Sequence, residues 1–547
     1  MTKLVDDVSG ARLMAHCAGF ARYEKLSGSE PERASLGDVQ AALAEAGFRT
    51  AMLLHDAYIS LPGPASVVAA GSTLRAITHS FSRASPAEGL TARLVDLGAG
   101  TDADFARGDL RGAIVLVDGI ASPAVAARAS CAGAAGQLHV SPHEHLHEMC
   151  ISPVWGSPST ETLAELPQTV ACTISLADGA MLRQRLAAGA VDRVTLQAAV
   201  DTGWRETPIL QADLDGPDPD GPFILFSGHH DTWFYGVMDN GSANATMLET
   251  ARVLATQRDR WKRGLRLCFW SGHSHGRYSG SSWYVDTHWA ELERRCAVHV
   301  NVDSTGGIGA TVMTETAVSS ELKALGADAV RAETGEALLG KRPNRNSDMS
   351  FWGIGIPSMF GSMSHQPSAP VAMRNPLGWW WHTPHDTLDK VDEAHLVRDT
   401  RIFVRAIWRL LTEAVLPLDF TAHAQALMAE LRTIEATLDG RLSLEPLLDA
   451  ASGFEAVAPN ATSDAAMMAV ARALVPADYT RGDRFAHDPA LPLPAWPVLD
   501  PIRALAAAPA GDAMRFARVG ALRARNRLQH ALIEATRAAG TIGGSRP

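Results

Sequence analysis

The chain has 547 residues, 46% hydrophobic and 20% charged, with a formal charge of −11. One hydrophobic core does not serve that length, so two or three domains are expected. The acidic balance and the lack of a long basic run argue against nucleic acid as a partner.

Residues 1–28 carry Asp6 and Asp7 and no long apolar core, so neither a signal peptide nor a membrane anchor is expected there. Residues 34–47 read as an amphipathic helix closed by Gly47. A β-rich stretch follows over roughly 60–200. It contains a buried-strand run at Ala113–Val117 and an Ala-rich helix at 122–135. After a Pro/Asp/Gly linker at 213–222 come three continuous apolar runs: Phe223–Phe226, Leu265–Trp270 and Val298–Val302. Such runs predict strands covered on both faces, and the helical segments between the first two predict an α/β sheet. From about 393 the chain reads as helical, with Leu396, Phe403, Ile407 and Leu411 on one face and Pro417 as the stop. Further helices are predicted at 420–438, 463–474 and 512–538, with an Ala/Pro-rich loop near 488–509. The six scattered cysteines lack paired spacing and are expected to be reduced, mostly buried thiols, which points to the cytoplasm.

The chemistry concentrates just past the predicted strands. Strand 223–226 runs into Ser227-Gly228-His229-His230-Asp231, and Asp239-Asn240-Gly241 precedes a helix. Strand 298–302 ends at Asp303, and His382 lies in Trp381-His382-Thr383-Pro384-His385-Asp386. Loops at the carboxyl ends of strands build the sites of open α/β sheets. Imidazoles and carboxylates converging there suit a divalent metal, most simply zinc. Each signal alone has a plainer reading: Asp239 could cap a helix and Asp303 could serve a turn. Their order at successive junctions favours the metal.

At these junctions GHHDTWFYGVMDNGSANA (228–245), LRLCFW (265–270), VNVDST (300–305), SDMSFWGIGIPS (347–358) and WHTPHDTLDKVD (381–392) resemble the glutamate carboxypeptidase II and transferrin receptor family of zinc peptidases. The flanking RYEKLSGS (22–29), RGAIVLVDG (111–119) and VLPLDF (415–420) continue the likeness. The resemblance implies a mixed-sheet α/β zinc-peptidase catalytic domain at 1–58 and 203–416. It further implies an inserted β-rich protease-associated domain at 59–202, a helical dimerisation domain at 417–547, and hence a homodimer. His229 and Asp303 would bind one metal, His382 the other, and Asp239 would bridge them. Asp231 would orient the His229 imidazole. One or two zinc ions are implied.

The departure lies after Trp270. Where active members carry two adjacent glutamates, a base and a ligand, this chain reads Ser271-Gly272-His273-Ser274-His275-Gly276. Counting from Trp270 puts His273 at the base position and Ser274 at the ligand position. Counting back from Gly280-Ser281 puts His275 at the ligand position. His275 is taken as ligand and His273 as proton acceptor, since imidazole serves both purposes.

The expected activity is metal-dependent hydrolysis of an amide or peptide-like bond in a small molecule or short peptide-like substrate. The alternative is a non-catalytic binding protein on a transferrin-receptor-like scaffold. His139, His143, His145 and His147, with Cys150, could hold a metal but read rather as a solvated polar loop bordering the cleft. Trp379–Trp381 read as packing or as an apolar substrate wall, and Lys341, Arg342 and Arg345 as an ordinary charged loop rather than a carboxylate clamp.

Overall fold

The apolar runs become the interior of one mixed sheet. The computed structural model describes residues 2–313, 316–367 and 376–540. Its strands are β1 Arg49–Ala69, β2 Ser72–Thr78, β3 Leu90–Asp96, β4 Ile114–Asp118, β5 Gly136–Val140, β6 Val170–Ile174, β7 Arg193–Leu214, β8 Phe223–His229, β9 Gly264–Trp270, β10 Cys296–Val302 and β11 Ser358–Gly361. Neighbours run in the order β1-β2-β6-β5-β4-β3-β7-β9-β8-β10-β11, and β1 also pairs with β7.

Two halves share that sheet. β9, β8, β10 and β11 pair in parallel, with β7 antiparallel along the outer side of β9. Every residue of β8, β9 and β10 is buried, as strands with helices on both faces must be. In the other half β3, β4, β5 and β6 are parallel. The long β1–β7 antiparallel ribbon joins the halves, from Arg49 opposite Asp213 to Ala69 opposite Val194. The second half has its own core, including Val67, Leu94, Ile114, Leu116, Leu138 and Leu196.

Helices cover the first half. Glu393–Thr412 presents Leu396, Phe403, Ile407 and Leu411, all fully buried, as the spacing predicts. The predicted helix at 34–47 is Glu30–Glu45, started earlier by Ser29 as N-cap with Pro31 in the first turn. Beyond Pro417 lie Phe420–Glu435, Glu445–Val457, Asp464–Tyr479, Asp500–Ala507 and Asp512–Gly540. Glu445–Val457 was not predicted, and Asp500–Ala507 falls inside the predicted loop. There Asp500-Pro501 opens a helix, because proline in the first turn lacks only an N–H that has no partner within the helix anyway. Residues 541–547 of the expected helical domain lie outside the described residues. All six cysteines are free thiols, Cys131 exposed and the others buried. No helix among the described residues is long and apolar enough to cross a membrane.

Candidate metal centre

The carboxyl ends of the parallel strands carry the polar residues together. β8 ends at His229, β9 at Trp270 just before the His273 loop, and β10 just before Asp303. Asn240 ties two of these ends together: its amide donates to the carbonyls of His229 and Val302, at 3.2 and 3.3 Å, while its carbonyl oxygen accepts from Ser304 N at 2.9 Å. Asn244 adds a 2.9 Å bond to the His229 carbonyl. The irregular turn Val237–Ser242 that presents Asp239 starts after Gly236, with φ of 49°. A Cβ there would lie 2.3 Å from the Asp239 carbonyl oxygen, so glycine is required on both counts.

Asp239 stands between two imidazoles. Its Oδ1 lies 3.1 Å from His229 Nε2, and its Oδ2 lies 3.0 Å from His382 Nε2. Asp303 Oδ1 is 3.6 Å from His229 Nε2. His229 and His273 stack face to face with ring centres 3.7 Å apart. Donor atoms of His229, His273 and Asp303 all lie within 4.8 Å of one another, a grouping that can hold a metal ion.

The outward nitrogens of these imidazoles are spoken for. His229 Nδ1–H donates to the Asp231 carbonyl at 2.8 Å, and His382 Nδ1–H to the Glu148 carbonyl at 2.7 Å. His273 Nδ1–H donates to Asp348 Oδ2 at 2.6 Å. Each tautomer therefore leaves Nε2 bare toward the cluster, the orientation a metal-binding histidine needs. His229 Nε2 and Asp239 Oδ1 are buried without a hydrogen bond between them or to any other group. Two orphaned ligand-type atoms at 3.1 Å fit a shared cation better than a protein–protein contact.

Asp386 holds the bridging residue by its backbone, accepting the N–H groups of Met238 and Asp239 at 2.9 and 3.0 Å. Burial pushes its carboxyl up to about 7 against those two donors. Asp386, Asp348, Ser347 and Ser27 lie in quoted segments, yet sequence reasoning gave them no role. Their cue was only a short polar side chain beside a motif residue.

The geometry bears on three of the expected assignments. Asp231 supports His229 through its carbonyl; its carboxylate, 4.0 Å from His229 Nδ1, instead accepts Ser27 Oγ, His273 N and Ser274 N. It shapes the 273–275 loop and does not grip the imidazole side chain. His273, expected as a proton acceptor, is the loop histidine that joins His229 and Asp303. His275, expected as a ligand, turns away: Nδ1 sits 2.9 Å from Ser27 Oγ, and the fully buried ring packs on Trp233. Arg277 and Tyr278, both left-handed, close this loop immediately before the helix Ser279–Arg295.

The loop between β5 and β6 borders the same cleft. His143 and His147 meet through Nε2 atoms at 2.9 Å, and His147 Nδ1–H donates to the Trp381 carbonyl. Trp381 stacks on His382 at 3.4 Å, Trp380 is buried, and Trp379 stacks on His145. Arg342 pairs with Asp478, Arg345 donates to the carbonyls of Asp488 and Pro489, and Lys341 is also engaged. This supports the ordinary charged loop.

Residues 210–407, which hold His229, Asp239, His273, Asp303 and His382, match peptidase family M28. The chain is 25% identical over 275 residues to a protein named probable glutamate carboxypeptidase AMP1 from Arabidopsis thaliana, covering 46% of this chain and 37% of that protein. It is 24% identical over 276 residues to aminopeptidase NAALADL1 from Mus musculus, covering 43% and 36%. The chain thus matches little more than a third of the length of these curated relatives. Among solved structures it resembles BSAP, a zinc aminopeptidase from Bacillus subtilis, with a TM-score of 0.58, 20% identity and coverage of 74% of this chain and 96% of that one. A peptidase M28 precursor from Shewanella amazonensis gives a TM-score of 0.60 at 19% identity, over 76% and 96%. The match to peptidase family M28 thus covers the part of the chain that holds these residues, and the fold is the one seen in the zinc aminopeptidases.

Proposed function

We propose that this chain is a metal-dependent hydrolase of amide or peptide-like bonds, with zinc as its metal. The carrying observation is that three imidazoles, His229, His273 and His382, have Nδ1 bonded to an oxygen, that His229 and His382 turn Nε2 to Asp239, and that His273 groups with His229 and Asp303. His229, His273, Asp303 and Asp239 would hold one ion. Asp239 and His382 would offer two donors to a second, so one tightly held metal is expected. A bound zinc polarises a carbonyl and makes water a nucleophile near neutral pH. The chain's part is to fix the ligands, through the carbonyls of Asp231 and Glu148 and the Asp386 clamp, and to wall the cleft with Trp381 and the 143–148 loop.

Metal analysis after zinc loading should give about one equivalent, and His229→Ala should lose it. Less than roughly a tenth of an equivalent in the parent protein would leave the non-catalytic binding protein as the better reading.

The half of the sheet between the ends of the β1–β7 ribbon is read as the protease-associated insert, 59–202. The helices after 417 are read as a dimerisation domain, in a cytoplasmic protein. Phe516 and Val519, exposed on the helix Asp512–Gly540, support that reading. Sedimentation at micromolar concentration should give a homodimer, with an interface above about 1,200 Å² in total. A monomer mass would reject it.

A further inference from the structure

Where the resembled family carries its glutamate pair, this chain carries His273, and the residue behind that imidazole is Asp348. Its Oδ2 accepts the Nδ1–H of His273 at 2.6 Å, and its Oδ1 accepts Ser281 Oγ–H at 2.8 Å. Ser281 Oγ lies 2.9 Å from Ser350 Oγ, which accepts the Trp155 indole N–H at 2.9 Å. These bonds can all run one way, from indole through two hydroxyls to a carboxylate that also takes the imidazole proton. Asp348, Ser281, Ser350 and Trp155 are all buried.

The backbone is bent to make this contact. Ser347 and Asp348 are consecutive non-glycine residues in the left-handed region, with φ of 48° and 58°. Such a pair persists only where its surroundings hold it. Asn301 at the end of β10 does so, donating to the Ser347 carbonyl at 2.8 Å and to its Oγ at 3.0 Å. The turn directs the Ser347 hydroxyl to the Asp303 carboxylate and the Asp348 carboxylate to His273. One strained turn thus supports two of the three residues in the metal grouping.

We propose that Asp348 is a positioning residue that fixes His273 as a metal ligand, so that a carboxylate–imidazole pair stands where the family has glutamate. A carboxylate on Nδ1 sets the tautomer, orients the ring and raises the basicity of Nε2. This rests on reading the site as a metal centre.

The test is a titration of chelator-stripped protein with Zn²⁺ and Co²⁺, reading affinity and the visible Co²⁺ spectrum. His273→Ala and Asp348→Ala should each weaken binding about 10–100-fold. The double variant should lose no more than His273→Ala alone, because Asp348 acts through that ring. Asp348→Asn keeps the shape and can still accept from Nδ1–H, so it should fold as the parent, bind about tenfold more weakly and alter the Co²⁺ spectrum. Both Asp348 variants binding within threefold of the parent with an unchanged spectrum would overturn the proposal, as would fully multiplicative losses in the double variant. A parent protein that takes up neither ion overturns the metal-centre reading and this inference together. Failure of the Asp348 variants alone overturns only this one.

Discussion

Asp239→Ala is expected to remove stoichiometric metal and to lower hydrolysis by roughly a thousandfold or more, about 4 kcal/mol of lost transition-state stabilisation. Asp239 is the residue whose two oxygens face two imidazoles, His229 at 3.1 Å and His382 at 3.0 Å. Deleting it takes a ligand from one position and leaves His382 without its carboxylate. The loss should be separable from misfolding, because the turn is held by main-chain contacts. Asp386 grips the N–H groups of residues 238 and 239, and Ser242 Oγ donates to the Met238 carbonyl at 2.8 Å. The metal-free variant should therefore melt close to the metal-free parent. Asp231→Asn should do less, about 10–100-fold, since that carboxylate supports the 273–275 loop and touches no bare ligand atom. If Asp239→Ala kept a full equivalent of metal and activity within tenfold, the metal would have to sit elsewhere.

Much of this site was legible because periodicity and junctions carry it. The runs at 223–226, 265–270 and 298–302 read as strands buried on both faces, and polar residues just past their carboxyl ends meet because of that topology. His229, Asp239, Asp303 and His382 stand together for that reason. The 271–276 loop was not legible. Two counts across it disagree on which residue stands where, and nothing in its composition marks the left-handed turn at Arg277 and Tyr278. The choice between His273 and His275 then turned on side-chain partners far away in sequence. Asp348 draws His273 inward, and Ser27 draws His275 out. Asp231 bonds the His229 Nδ1–H through its carbonyl, at 2.8 Å, and leaves its carboxylate to the 273–275 loop, a division of labour that the residue type alone does not reveal. The helix Asp500–Ala507 was missed because Ala/Pro richness suggests a loop, although Pro at a first turn also starts helices.

Removing His423 is expected to cost about 3–5 kcal/mol of stability, because it would strand a buried carboxylate. His423 lies in the first turn of the helix Phe420–Glu435, and its Nδ1 lies 3.0 Å from Glu321 Oε2 in the turn Ser320–Leu322; both side chains are fully buried. The Glu321 carbonyl also accepts Asp419 N at 2.8 Å, so this pair pins the C-terminal helices to the first half of the fold. Burial opposes charge on both groups. Even so, the Glu321 carboxylate keeps the His423 imidazole above its ordinary 6.5, and the imidazolium keeps Glu321 below its ordinary 4.5. The signs then follow. A raised histidine stabilises fully below 6.5 and loses its contribution as pH rises through its folded value. A lowered glutamate stabilises fully above 4.5 and loses its contribution as pH falls through its folded value. The pair is therefore strongest between about pH 4.5 and 6.5 and weakens on either side. Asp478 and Arg342 sit nearby: burial raises the Asp478 carboxyl, the Arg342 guanidinium opposes that rise, and negative charge on Asp478 adds to the pull that keeps His423 protonated. In urea unfolding at pH 6, His423→Ala should lose about 3 kcal/mol or more, and its deficit should shrink as the pH is raised toward 9. Replacing both partners, Glu321→Leu with His423→Leu, should recover at least half, since two apolar groups leave no charge unpaired. A single-variant loss below about 1 kcal/mol, or a deficit unchanged between pH 6 and 9, would mean that the helices are held by their apolar faces alone.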